Sequence, residues 1–100
     1  MALVTDRDEP MVGREHAEAL EAAERGDPDA QHSLGTMYYR GVDGAAPDYD
    51  ESFRWFSRAG EAGHAVAQCE VGLLYLLGHG VAADDRLAAL WLSSAAAAGV

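Results

Sequence analysis

The sequence has no lysine, no isoleucine and no asparagine, and only one cysteine, Cys69. A single thiol cannot close an internal disulfide, which excludes a disulfide-stapled secreted scaffold. Positive charge is scarce as well: seven arginines stand against 17 acidic residues, a net charge of −10. Phosphate backbones and anionic bilayers are held by clustered Lys and Arg, so nucleic acid and membrane surfaces are excluded as partners. No apolar run approaches the roughly 20 residues that span a bilayer. The stretch Met1 to Pro10 has neither a positive start nor an apolar core of signal length, so the expected compartment is the cytoplasm. With 49% hydrophobic and 8% aromatic residues, the chain is not disordered throughout, and its 100 residues suit one domain.

What the sequence does have is alanine, 20 residues of it, and a repeat. Ala30-Gln31, Gly35, Tyr38 and Gly41 recur as Ala67-Gln68, Gly72, Tyr75 and Gly78, 37 positions later. Asp48, Trp55, Ala59 and Gly63 recur as Asp84, Trp91, Ala95 and Gly99, 36 positions later, so the first unit carries one extra residue in its middle loop. Ala22 and Gly26 begin the series as a partial copy. A period of this length marks stacked helical units, each too small to bury its own apolar face.

Each unit reads as two helices. Gly26-Asp27-Pro28 supplies a left-handed helix end, an N-cap and a first-turn proline. Ala30, Leu34, Met37 and Tyr38 then share one face until Gly41. After a loop over 42–47, Asp48 and Glu51 form a capping-box pattern, and Ser52, Trp55, Phe56, Ala59 and Ala62 mark a second helix closed by Gly63. The next unit predicts helices near 65–77 and 84–98. An acidic helix near 13–25 precedes both, and residues 1–10 read as a loose tail. A glycine inside a helix costs about 1 kcal/mol relative to alanine. Its recurrence at Gly35 and Gly72 therefore predicts close helix approach. Trp55 and Trp91 are expected to supply the largest burial in each unit, on the order of 150–250 Å² each.

The pattern resembles the Sel1-like repeat family, cousins of tetratricopeptide repeats. In the second unit Ala67, Val71-Gly72, Tyr75, Gly78-His79-Gly80-Val81, Asp84, Ala88, Trp91, Ala95 and Gly99 follow the family's order. The first unit follows it through Ala30, Leu34-Gly35, Tyr38, Gly41, Asp48, Ser52, Trp55, Ala59 and Gly63, with Gly44 displaced and Ser52 in place of Ala. The family's usual Lys before the second-helix Ala is missing from both. The resemblance implies an all-α fold: a short right-handed α-solenoid of helix–turn–helix repeats, about five helices in all. It divides the chain into a flexible tail at 1–10, an N-terminal capping helix at 11–26, and repeats at 27–63 and 64–100. It further implies a concave face lined by the first helices, binding of a protein or peptide, and no enzymatic activity. Some secreted members carry a disulfide in each repeat; the cysteine count here does not match them.

No residue constellation adds chemistry. His16, His32, His64 and His79 lack the short fixed spacings of a zinc site and read as surface and loop residues. Cys69 reads as a small helix residue without a neighbouring base. Gly78-His79-Gly80 lacks the Lys, the longer glycine pattern and the strand of a phosphate loop, and reads as an interhelical turn. Acids at 48, 50, 51, 84 and 85 sit where helix dipoles favour negative charge. No cofactor or metal is expected.

Two surfaces remain as binding candidates. On a wheel of about 100° per residue, the face away from Ala30, Leu34 and Tyr38 holds His32, Thr36, Tyr39 and Arg40. The matching face of the next unit holds Cys69, Leu73, Leu76 and Leu77. The proposed groove comprises Tyr39, Leu73, Leu76 and Leu77, with His32, Thr36 and Arg40 as polar contacts. The competing reading packs these leucines against neighbouring helices or a second copy. The other surface is the acidic helix, where Glu15, Glu18, Glu21 and Glu24 could meet a basic partner. In that case the chain is an acidic inhibitor or immunity-type protein occupying the basic site of a toxin or nuclease. The last helix, rich in Leu and Ala and followed by no polar cap, leaves three readings: a fragment of a longer array, alanines that tolerate exposure, or a homo-oligomer formed through the C-terminal helix.

Overall fold

The structure, a computed structural model, describes residues 11–42 and 44–99, with side chains from His16 onward. The tail expected at 1–10 and the Glu15 side chain lie outside the described residues. Among the described residues five helices follow one another: α1 (Met11–Glu24), α2 (Pro28–Arg40), α3 (Tyr49–Glu61), α4 (Ala65–Leu77) and α5 (Asp85–Ala97). Each packs on its neighbours in sequence, α1 on α2, α2 on α3, α3 on α4 and α4 on α5. That nearest-neighbour order is the signature of a solenoid, and the extents of 57 × 25 × 19 Å fit it.

The turns form for local reasons. Gly26 and Gly63 take φ of 101° and 98°, a backbone region open to glycine and strained for other residues. After Gly26, the Asp27 carboxylate accepts the N–H groups of Asp29 (3.0 Å) and Ala30 (3.4 Å). After Gly63, the same place is held by His64, whose Nδ1 accepts the Ala67 N–H at 3.1 Å. His64 is thus an N-cap and not the plain loop histidine expected from its composition. Replacing His64 by Ala should cost about 0.5–2 kcal/mol, the range for lost N-caps. His64→Asp, which copies Asp27, should recover most of it in urea denaturation.

The second helix of each unit is tied to the first by one repeated bond. Asp48 N–H donates to the Tyr38 carbonyl (2.8 Å), and Asp84 N–H donates to the Tyr75 carbonyl (3.0 Å). This corrects the capping box. The Asp48 carboxylate does accept the Glu51 N–H at 3.1 Å, but the reciprocal donor is spent on Tyr38, and Glu51 pairs with Arg54 at 3.3 Å. The buried Gln31 and Gln68 form a second repeated latch. Their Nε2 groups donate to the carbonyls of Ala23 and Gly60 on the preceding helices, each at 3.0 Å.

The predicted close approaches are present. A Cβ built on Gly35 would lie 2.5 Å from the Phe56 ring, and one on Gly72 would lie 2.7 Å from Leu92 Cγ. Ser52, which replaces the usual Ala, donates its hydroxyl to the Gly35 carbonyl at 2.8 Å, so this buried polar group is satisfied. The core forms two clusters, Ala23–Leu34–Trp55 and Phe56–Val71–Leu74. The tryptophans differ, contrary to expectation: Trp55 is 6% exposed, whereas Trp91 is only half-buried. The Arg58 guanidinium lies over the Trp55 ring at 4.6 Å. The equivalent position in the second unit is Ser94, too short to cover Trp91.

Candidate functional site

A groove of about 330 Å³ opens between the first helices of the two units. Thr36, Tyr39 and Arg40 reach it from α2, Phe56 from α3, and Glu70, Leu73, Leu74 and Leu77 from α4. Leu74 is buried at its floor, while Leu73 and Leu77 are 41% and 58% exposed. Five of the seven residues chosen from the helical wheel therefore line one cavity: Thr36, Tyr39, Arg40, Leu73 and Leu77.

His32 and Leu76 stand outside that lining. The His32 ring stacks on His64 (centroids 4.8 Å apart, planes at 13°) and rests 5.3 Å from the Phe56 ring. Its Nε2 is 3.7 Å from Glu70 Oε2, beyond hydrogen-bond reach. Leu76 is 46% exposed on the same helix as Leu73 and Leu77, away from the cavity. Phe56, Glu70 and Leu74 were not foreseen. Glu70 was legible in part, since it lies three and four positions before Leu73 and Leu74 on an otherwise apolar helix.

A hydrogen bond and an aromatic stack brace the groove edge at Tyr39. Tyr39 Oη and His79 Nδ1 form a 3.1 Å hydrogen bond. His79 in turn stacks flat on Tyr49, with centroids 4.2 Å apart and planes at 1°. These contacts join α2 to the loop after α4 and fix the Tyr39 ring at the groove edge. On the other side, His64 uses Nδ1 as the α4 cap, and its Nε2 lies 3.1 Å from Asp29 Oδ1. Arg40, at the groove mouth, is exposed and has no ion-pair partner among the described residues. Behind the wall, partial burial and then the Glu51 and Asp48 carboxylates raise the Tyr38 phenol above its ordinary value of 10.0.

On α1, the Glu18, Glu21 and Glu24 side chains are exposed, and Glu21 meets Arg25 at 3.9 Å. Among the described residues, no three His, Cys, Asp or Glu side chains gather closely enough to hold a metal ion. No described helix is long and apolar enough to cross a membrane.

Because Leu73 and Leu76 project outward, replacing both by Ser should leave the thermal melt nearly unchanged, with a loss below about 1 kcal/mol. A larger loss in circular dichroism would mean that these leucines are packed.

Five helices in register, two Gly-turn-helix units and a side groove define a short α-solenoid repeat protein. The Sel1 repeat model matches residues 28–64 and 65–100, and the chain belongs to the Sel1 repeat family. It is similar to the crystal structure of a Sel1 repeat protein from Oxalobacter formigenes, at 35% identity and a TM-score of 0.76. That match covers 85% of this chain and 34% of the other. It is similar also to a protective antigen of uropathogenic Escherichia coli that displays an SLR fold, at 34% identity and a TM-score of 0.79, over 85% of this chain and 18% of that one. A 59-residue stretch is 37% identical to the ERAD-associated E3 ubiquitin-protein ligase component HRD3B of Arabidopsis thaliana. The stretch spans 59% of this chain and 9% of HRD3B. The chain spans about a third or less of the length of these relatives.

Proposed function

We propose that this chain is a non-enzymatic protein–protein interaction module that takes a peptide or short helix of a partner protein in the groove between α2 and α4. One observation carries the reading: two large exposed leucines, Leu73 and Leu77, converge with Tyr39 on a preformed cavity. Folded monomers rarely leave large apolar side chains gathered in a concavity without use. A cavity of about 330 Å³ accepts two or three side chains, the scale of helix-in-groove recognition. Thr36, Arg40 and Glu70 supply polar contacts at its rim.

The test is selection of peptides from a displayed library on the wild-type protein, followed by titration of the selected peptides. Leu73→Ser/Leu77→Ser should weaken binding at least about tenfold, or 1.4 kcal/mol, with little dependence on salt. Equal binding by this variant overturns the reading. Binding that falls steeply with salt and vanishes when Glu18, Glu21 and Glu24 are changed to Gln would favour the acidic inhibitor instead.

A further inference from the structure

The outward stripe of α5 differs from that of the helices before it. Thirty-six residues separate equivalent positions of α3 and α5. In α3 the stripe holds Glu51, Arg54, Arg58 and Glu61; in α5 the same places hold Leu87, Leu90, Ser94 and Ala97. All four charges are gone. Leu87, Leu90, Trp91 and Ser94 border a shallow cavity of about 250 Å³, with Leu90 62% exposed.

The exposure is not a consequence of a missing neighbour. In α3 the counterparts Arg54, Arg58 and Glu61 remain exposed although α4 packs beside that helix, and Glu51 is half-buried. The stripe is therefore an outer surface of the repeat, and on outer surfaces the first unit keeps charge.

We propose that this stripe pairs with the same stripe of a second copy of the chain, the two α5 helices running antiparallel. A two-fold contact must be complementary to itself, and this stripe is. Its N-terminal half is bulky (Leu87, Leu90, Trp91) and its C-terminal half is small (Ser94, Ala97, Ala98). Antiparallel pairing sets the bulky half of each copy on the small half of the other. Leu87 then faces Ala98, and Leu90 and Trp91 face Ser94. A pair of 13-residue helices buries less than the roughly 1,200 Å² of a standard stable interface, so the dimer is expected to be a weak one. The groove is lined from α2, α3 and α4, so each dimer displays two open grooves.

Sedimentation equilibrium of the chain from low to high micromolar concentration tests this. The weight-average mass should rise from 10.6 kDa toward twice that value. Leu87→Glu/Leu90→Arg/Ser94→Arg installs the residues that α3 already carries. It should keep the helical signal and raise the dimer dissociation constant at least about tenfold. Ser94→Arg alone, at an exposed site, should weaken the dimer in the same direction even if the triple variant loses helix. Leu73→Ser/Leu77→Ser should dimerise like the wild type, which separates this claim from the groove reading. A wild-type chain that stays monomeric at high micromolar concentration overturns the proposal, and so do stripe variants that associate as the wild type does.

Discussion

Replacing Phe56 by alanine is expected to remove about 3–5 kcal/mol of stability, the range for losing a buried aromatic ring. That is a large share of what a small domain holds. Phe56 is 3% exposed and belongs to the cluster with Val71 and Leu74, so its ring joins the first unit to the second. It also fills the space over Gly35, where a Cβ would meet it at 2.5 Å, and it forms part of the groove wall. Urea denaturation followed by circular dichroism measures the loss. A second substitution sharpens the test. Gly35→Ala in the wild type should destabilise, because the new methyl collides with the Phe56 ring even though alanine is the better helix former by about 1 kcal/mol. In the Phe56→Ala background the same change should stabilise, since the ring is absent and the propensity gain remains. A sign that does not reverse would show that Gly35 is not held small by Phe56.

The two tryptophans, equivalent in sequence, should differ in cost. Trp55→Ala should lose about 3–5 kcal/mol. Trp91→Ala should lose less, about 1–2 kcal/mol, because less of its surface leaves water on folding. The difference follows from packing. Trp55 lies with Ala23 and Leu34, flanked by Ala19, Leu20 and Tyr38, and has the Arg58 guanidinium across its face. Trp91 packs inward against Gly60, where a Cβ would stand 3.0 Å from its ring, and its outer face has Ser94 for a neighbour. Thermal melts of the two variants, at a dilution where the chain is monomeric, give the comparison. Equal losses would mean that Trp91 is covered as fully as Trp55.

Most of the fold could be read because the repeat states it twice. Gly26 and Gly63 marked the turns; Asp27, Asp48 and Asp84 marked the helix starts; Gly35 and Gly72 marked the close approaches. Each is a local signal, decided by the backbone of a few neighbouring residues. His64 escaped because histidine seldom caps a helix, so only its place in the repeat, opposite Asp27, could have identified it. Gln31 and Gln68 were seen to recur, but their role as latches depends on carbonyls eight residues away on another helix.

The groove was legible to the same depth. Helical periodicity puts Thr36, Tyr39, Arg40, Leu73 and Leu77 on facing sides of α2 and α4. It does not say where a ring turns within that face. His32 shares the face, but its ring goes to Phe56 on α3 and to His64 at the start of the next unit. Leu76 follows the same apolar run, yet one residue of rotation, about 100°, carries it away from the cavity that Leu77 lines. Which leucine faces inward is set by how the units stack, and a wheel drawn on one helix does not contain that angle.

The groove is the central claim, and the most direct measurement is the map of a selected peptide on the protein by nuclear magnetic resonance. With the backbone amides assigned, titration of the peptide should shift signals of Thr36, Tyr39, Arg40, Glu70, Leu73 and Leu77 and leave those of α1 and α5 in place. Shifts concentrated on Glu18, Glu21 and Glu24, or on Leu87, Leu90 and Ser94, with the α2–α4 groove unmoved, would contradict it.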